Sequence, residues 1–179
     1  MQINLPTLIT IFRILLTPLF IIVCYSEIQQ ANVIAASIFC IASASDALDG
    51  FLARKLNQST KFGAFLDPLA DKIMVATALV ILVEKYSTWM VSIPAILLIG
   101  RELIIAAIRE WMATIGNNNS VAVSFIGKCK TLFQMTSVMI LILNYNQYTN
   151  ILGYICLYAS LVCSMVSIYQ YAKAAIKTS

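Results

Sequence analysis

Ser45 to Lys72 reads SDALDGFLARKLNQSTKFGAFLDPLADK, and it contains every aspartate of the chain: Asp46, Asp49, Asp67 and Asp71. Asp46 and Asp49 are three residues apart, and Asp67 and Asp71 are four apart. On helices each pair projects from a single face, because residues at these spacings are neighbours along the helix surface. The flanking sequence is apolar, with ANVIAASIFCIASA before and IMVATALVILV after. A charge at the centre of a membrane helix costs on the order of 2.5 to 3.5 kcal/mol, so four isolated central carboxylates would cost on the order of 10 kcal/mol. Their mutual repulsion adds to this or forces protonation.

The rest of the chain sets the context. It has 179 residues, 60% hydrophobic and only 11% charged, with a mean hydropathy of +0.86. That composition belongs to membrane proteins. At roughly 20 residues per crossing the length accommodates about six spans. The expected fold is all-α, an integral membrane bundle of six transmembrane helices in a single domain over residues 1–179. The helices are expected at about 7–25, 31–54, 63–85, 89–113, 121–143 and 151–175, with polar turns such as Tyr145 to Asn150 between them. Ala and Ser in the first half of the second helix favour close packing. Six spans put both termini on one side, and that side collects Arg54, Lys55, Lys61, Lys128, Lys130, Lys173 and Lys177. The turns on the other side carry only Lys85, so both termini and the aspartates are expected to face the cytoplasm. Arg13, inside the first span, has two readings: it snorkels to the interface, or it belongs to a charged interior.

Net charge is +4 and nothing favours nucleic acid as a partner. The five cysteines are scattered through apolar segments with no CxxC pair, which supports neither a zinc site nor a disulfide framework. The chain has no histidine, so Ser-His and Cys-His chemistry and histidine-ligated metals are excluded. Any metal ligand or base is therefore a carboxylate. All-oxygen ligation suits the hard cations Mg²⁺ or Mn²⁺, and such ions would offset both the burial cost and the repulsion of the four aspartates. The plainer alternative is a set of interface carboxylates paired with Arg54, Lys55, Lys61 and Lys72. Against it stand the small residues Gly50, Ala53, Gly63 and Ala64, which let a ligand approach the backbone. Arg54 adds a planar donor suited to phosphate oxygens. Together these describe a phosphate-ester site in which two metal ions clamp a pyrophosphate.

Asp46-x-x-Asp49-Gly50-x-x-Ala53-Arg54, eight residues, then Gly63-x-x-x-Asp67-x-x-x-Asp71 resembles the complete signature of the CDP-alcohol phosphatidyltransferase family. The resemblance implies six transmembrane helices, a homodimer, and a transfer that depends on Mg²⁺ or Mn²⁺, with two ions expected. In that transfer a phosphatidyl group moves from a CDP-activated lipid such as CDP-diacylglycerol to an alcohol, releasing CMP. Carried over by position, it implies Asp46, Asp49, Asp67 and Asp71 as metal ligands, with Asp71 also the general base. It implies contacts to the cytidine diphosphate from Asp49, Gly50, Ala53, Arg54 and Gly63, and further contacts from Pro6, Thr7 and Thr60.

The signature does not choose the acceptor alcohol. Four other stretches resemble a bacterial branch of the family that uses sn-glycerol 3-phosphate: Asn4 to Leu8 with Arg13, Gly63 to Lys72, Arg109 to Ala113, and Ser120 to Ser124 with Gly127, Lys128, Lys130 and Thr131. This likeness implies a bacterial inner-membrane enzyme working among membrane lipids. Arg101, Arg109, Lys128 and Lys130 are then candidates for a second phosphate pocket. Each has a simpler reading: Arg101 and Arg109 as partners of Glu102 and Glu110, Lys128 and Lys130 as topology anchors. Other acceptors (phosphatidylglycerol, inositol phosphate or serine) keep the same chemistry. A divalent-cation transporter is the alternative from another class, and the clustering of the aspartates near one membrane face argues against it.

Overall fold

The computed structural model describes residues 5–56, 61–114 and 125–178, with side chains described for 8–45, 66, 69–108, 110, 111, 127 and 129–170. All secondary structure among the described residues is helical: α1 (Leu5–Cys24), α2 (Ala31–Leu56), α3 (Lys61–Tyr86), α4 (Trp89–Thr114), α5 (Phe125–Leu143) and α6 (Gln147–Thr178). The expected helices are therefore present. Val121 to Ser124, expected at the start of α5, lie outside the described residues.

One boundary differs usefully. Gln147 to Asn150 were expected in a polar turn but form the first turn of α6. Asn146 is the reason. Its Oδ1 accepts a hydrogen bond from the Thr149 backbone N–H at 2.8 Å, and Thr149 Oγ1 accepts one from the Asn146 N–H at 3.1 Å. This reciprocal cap satisfies two donors that a helix start leaves open. At the C-terminal ends of α3 and α5, Ser87 and Asn144 adopt left-handed φ values of 44° and 46°, which turns the chain out of each helix.

The helices run alternately up and down. α1 packs against α2 and α3, α5 pairs most extensively with α6, and α4 lies against α6 and α3. α2 against α5 joins the two groups. The centre is filled by Phe20, Phe39, Met74, Ala78, Leu82, Val91, Leu98, Val138, Leu141 and Leu157, all 3% exposed or less. At Gly153 a Cβ would lie 2.8 Å from the Leu141 side chain, so the close approach of α5 and α6 requires glycine there.

Beside this apolar centre the bundle also buries polar side chains and exposes large apolar ones. Buried positions include Arg13, Thr17, Arg101, Lys130, Gln134, Ser137, Ser160, Ser164 and Ser167, whereas Leu15, Ile22, Val80, Ile96, Leu103, Leu132 and Val162 stand exposed. A widely apolar exterior, with charged and polar side chains drawn inside, fits a lipid surround. Among the described residues, two helical segments, Trp89–Ile108 and Gln147–Gln170, are long and apolar enough to cross a membrane.

The turns after α1, α3 and α5 meet at one end of the bundle. The Lys85 ammonium donates to Asn32 Oδ1 at 2.8 Å and to the Ile142 carbonyl at 2.9 Å, while the Tyr86 hydroxyl donates to the Leu141 carbonyl at 2.9 Å. The Tyr25 hydroxyl donates to the Glu84 carboxylate. A cavity of about 310 Å³ lies among Cys24, Tyr25, Asn32, Glu84, Lys85 and Ile142. This latch sets the register of the helices that lead to the opposite end.

A candidate active site at one level of the bundle

The latch fixes where the aspartates fall. Asp71 lies fourteen residues before Lys85 on α3, and Asp46 lies fourteen residues after Asn32 on α2. Lys85 touches Asn32 and the two helices are antiparallel, so Asp46 and Asp71 share one level, about 21 Å from the latch at 1.5 Å per residue. Asp49 and Asp67 follow one turn further on, seventeen and eighteen residues from the same pair. The backbone register thus sets both pairs toward the same end of the bundle, on α2 and α3. Carboxylates are the residue type that suits a hard divalent cation, and this chain has no histidine to compete with them.

Of the quartet, Asp71 alone has a described side chain, and it is half-buried. The side chains of Asp46, Asp49 and Asp67 and those of Pro6, Thr7, Ala53 and Arg54 lie outside the described residues, as does Thr60 altogether. Gly50, Ala53 and Arg54 are on the last turns of α2, and Gly63 is on the first turn of α3. Among the described residues no group of three or more potential metal ligands occurs.

Facing Asp71 is a charged cluster drawn from three other helices. Arg101 Nη1 donates to Glu102 Oε1 at 2.8 Å, and Lys130 Nζ donates to the same oxygen. Arg101 Nη2 donates to Ser167 Oγ at 2.9 Å. Arg101 is 8% exposed and Lys130 is 4% exposed, and Asp71 acts electrostatically on Lys130. Thus α3, α4, α5 and α6 converge here. A carboxylate between two cations offsets the burial cost of all three, because each charge has a hydrogen-bonded partner.

The simpler readings of the basic residues separate at this point. Arg101 does pair with Glu102, as one alternative held. Lys130 is no surface topology anchor, since it is buried and paired across helices. Arg109 and Lys128 have side chains outside the described residues; α4 and α5 carry them. Arg13 is 1% exposed, which rules out snorkelling and leaves the charged interior. Thr17 donates to Met74 Sδ at 3.5 Å, so Arg13, one turn earlier on α1, sits at the level of Ala70 and Asp71.

Several polar residues near this level escaped the reading of the sequence. Gln134 and Ser137 follow Lys130 at i+4 and i+7 on α5, and Ser160, Ser164 and Ser167 recur at the same spacing on α6. All six are buried, and together they make a polar seam between the two helices. The signal was available: polar residues at helical period within apolar helices mark an interior face. Arg101 Nε, Gln134 Nε2 and Ser164 Oγ are buried there without a hydrogen-bond partner.

The comparisons with known proteins agree with the signature. The profile for CDP-alcohol phosphatidyltransferase matches residues 3–166. The chain belongs to the CDP-alcohol phosphatidyltransferase family. A CDP-diacylglycerol–glycerol-3-phosphate 3-phosphatidyltransferase from Salmonella typhimurium strain LT2 is 49% identical over 175 residues, covering 98% of this chain and 96% of the relative. Proteins of the same name from Escherichia coli strain K12 and Shigella flexneri are each 48% identical over the same length and coverage.

Proposed function

We propose that this protein transfers the phosphatidyl group of CDP-diacylglycerol to sn-glycerol 3-phosphate, forming phosphatidylglycerophosphate and CMP. The observation that carries the reading is near-full-length identity of 49% to relatives named for that reaction, in a chain whose eight signature residues are intact. The proximity of Asp71 to the Arg101–Glu102–Lys130 cluster supports it. In this reading the proposed base lies within electrostatic reach of a buried cation pair.

In the proposed mechanism Asp71 accepts the proton of the acceptor's free primary hydroxyl. The oxygen attacks the lipid-side phosphorus of the pyrophosphate, the bond from that phosphorus to the bridging oxygen breaks, and CMP leaves with the bridging oxygen. Arg54, Gly50, Ala53 and Gly63, with Asp49, hold the cytidine diphosphate, and Pro6, Thr7 and Thr60 complete its surroundings. Two Mg²⁺ or Mn²⁺ ions bound by Asp46, Asp49, Asp67 and Asp71 would neutralise the pyrophosphate and stabilise the leaving group. Arg101 and Lys130, with Arg109 and Lys128, hold the acceptor phosphate.

The proposal extends to place and assembly. The whole chain acts as one catalytic domain with six membrane spans in a bacterial inner membrane, with termini and active site cytoplasmic, and works as a homodimer. Charge asymmetry between the two sets of turns supports the orientation. Purified protein given CDP-diacylglycerol, Mg²⁺ and glycerol 3-phosphate is expected to release CMP and form phosphatidylglycerophosphate. Release only with phosphatidylglycerol, inositol phosphate or serine would overturn the acceptor assignment.

A further inference from the structure

Glu102 is the member of the cluster that a phosphate pocket does not explain. Two cations that only held a phosphate dianion would do so better without a carboxylate between them, because like charges at close range cost several kcal/mol. Yet one Glu102 oxygen takes hydrogen bonds from both Arg101 Nη1 and Lys130 Nζ. Holding Arg101 in place does not require it, since Ser167 on α6 already accepts from Nη2 at 2.9 Å. Around it, Arg101 Nε, Gln134 Nε2 and Ser164 Oγ are buried with no hydrogen-bond partner. Gln134 is one helical turn from Lys130, and Ser164 is one turn from Ser167. Buried polar groups are nearly always paired, so this level of the bundle has hydrogen-bonding capacity reserved for a polar occupant.

The occupant must satisfy opposite demands. Arg101 and Lys130 are donors only and call for an anion; an ionised carboxylate accepts only and calls for a donor. A polyol monophosphate offers both, with its phosphate for the cations and a hydroxyl for the carboxylate. Lys130 touches Glu102 and feels the charge of Asp71. Both carboxylates act on the same ammonium, which suits two hydroxyls on one short acceptor.

We propose that Glu102 is the specificity-determining residue for the acceptor, accepting a hydrogen bond from a non-reacting hydroxyl of a polyol phosphate whose phosphate is held by Arg101 and Lys130. In glycerol 3-phosphate that hydroxyl is the one on C2, between the phosphate and the C1 hydroxyl that Asp71 deprotonates. The same carboxylate repels phosphates that bring no donor, inorganic phosphate among them. The inference rests on the acceptor reading above.

The test compares glycerol 3-phosphate with 3-hydroxypropyl phosphate, which lacks only the C2 hydroxyl, as acceptors for CMP release from CDP-diacylglycerol with Mg²⁺. Wild-type protein is expected to favour glycerol 3-phosphate in kcat/KM by roughly 10- to 100-fold, the worth of one hydrogen bond to a charged group. In Glu102→Gln that preference is expected to fall at least about fivefold through a higher KM for glycerol 3-phosphate, as a neutral acceptor makes a bond about half as strong. The variant's kcat/KM for 3-hydroxypropyl phosphate should stay level or rise. Equal losses for both acceptors would show that Glu102 only holds Arg101 and Lys130, and would overturn the proposal. Equal kcat/KM for both acceptors in the wild type would overturn it without any variant, so a variant that fails to fold does not shield it. Absence of glycerol 3-phosphate turnover in the wild type, with turnover of another alcohol, would instead refute the acceptor reading and the inference with it.

Discussion

The α2–α3 arm and the α4–α5–α6 arm of this bundle solve the burial of charge in opposite ways. The first concentrates four like charges, Asp46, Asp49, Asp67 and Asp71, within 26 residues. The second distributes two cations and one carboxylate over α4 and α5 and ties them to Ser167 of α6. Like charges at one level repel and are complete only with cations from outside the chain. Opposite charges that bond each other balance their charge within the chain. Under the proposed function the first arm depends on its ions, whereas the second is held by packing and by its own ion pairs. The proposed function thus implies a division of labour, with the phosphoryl chemistry on the first arm and the choice of acceptor on the second.

The contrast is broken most directly by removing the divalent ion. Chelation by EDTA is expected to abolish CMP release, with recovery on adding Mg²⁺ or Mn²⁺. Residual full activity after chelation would mean that the aspartates do not need ions. Asp71→Asn should lower kcat by about 10²- to 10⁴-fold, the usual contribution of a general base, while CDP-diacylglycerol binding is retained. Loss of that binding would make Asp71 mainly a metal ligand.

The second arm is tested by Lys130→Met, which keeps length and removes charge. It should raise the KM for glycerol 3-phosphate about tenfold or more, since truncating one partner of a buried charge pair costs roughly 2 to 5 kcal/mol. The KM for CDP-diacylglycerol should move less than about twofold, because Lys130 belongs to the acceptor arm alone. Equal shifts in both would dissolve the division. Gly153→Ala forces a Cβ to 2.8 Å from Leu141, and overpacking of this kind costs about 1 to 3 kcal/mol. The expected result is a lower melting temperature and a raised KM for glycerol 3-phosphate, with CDP-diacylglycerol binding unchanged, because α5 and α6 carry the second arm. The smallest effect is expected at the far end: Tyr25→Phe removes an exposed hydrogen bond to Glu84 and should leave both KM values and the melting temperature unchanged within error.

The two arms also differ in how far they could be read in advance. Six helices follow from apolar stretches of membrane-spanning length separated by polar turns, and all six occur with starts and ends close to those expected. The start of α6 was misplaced because polarity alone marks Gln147 to Asn150 as a turn, whereas the Asn146–Thr149 cap makes them helical. Arg13 had two readings that sequence does not separate, since an arginine that snorkels and one that is buried occupy the same position in the chain. Its 1% exposure decides for the interior. Lys130 next to Lys128 looked like one of two equivalent charges. A helix turns about 100° per residue, so residues two apart face different ways, and Lys130 enters the interior.

What the sequence determined by itself is the carboxylate arm. Its residues lie within one hairpin, so spacing at three and four along two consecutive helices is already geometry, and the absence of histidine restricts the chemistry to oxygen ligands. The tertiary structure alone decided the acceptor arm. Arg101, Glu102, Lys130 and Ser167 are brought together by helix packing across up to 66 residues of chain. Contacts at that separation are chosen by which faces of the helices bury against one another, here by the close approach of α5 to α6 at Gly153 and by the latch at Lys85.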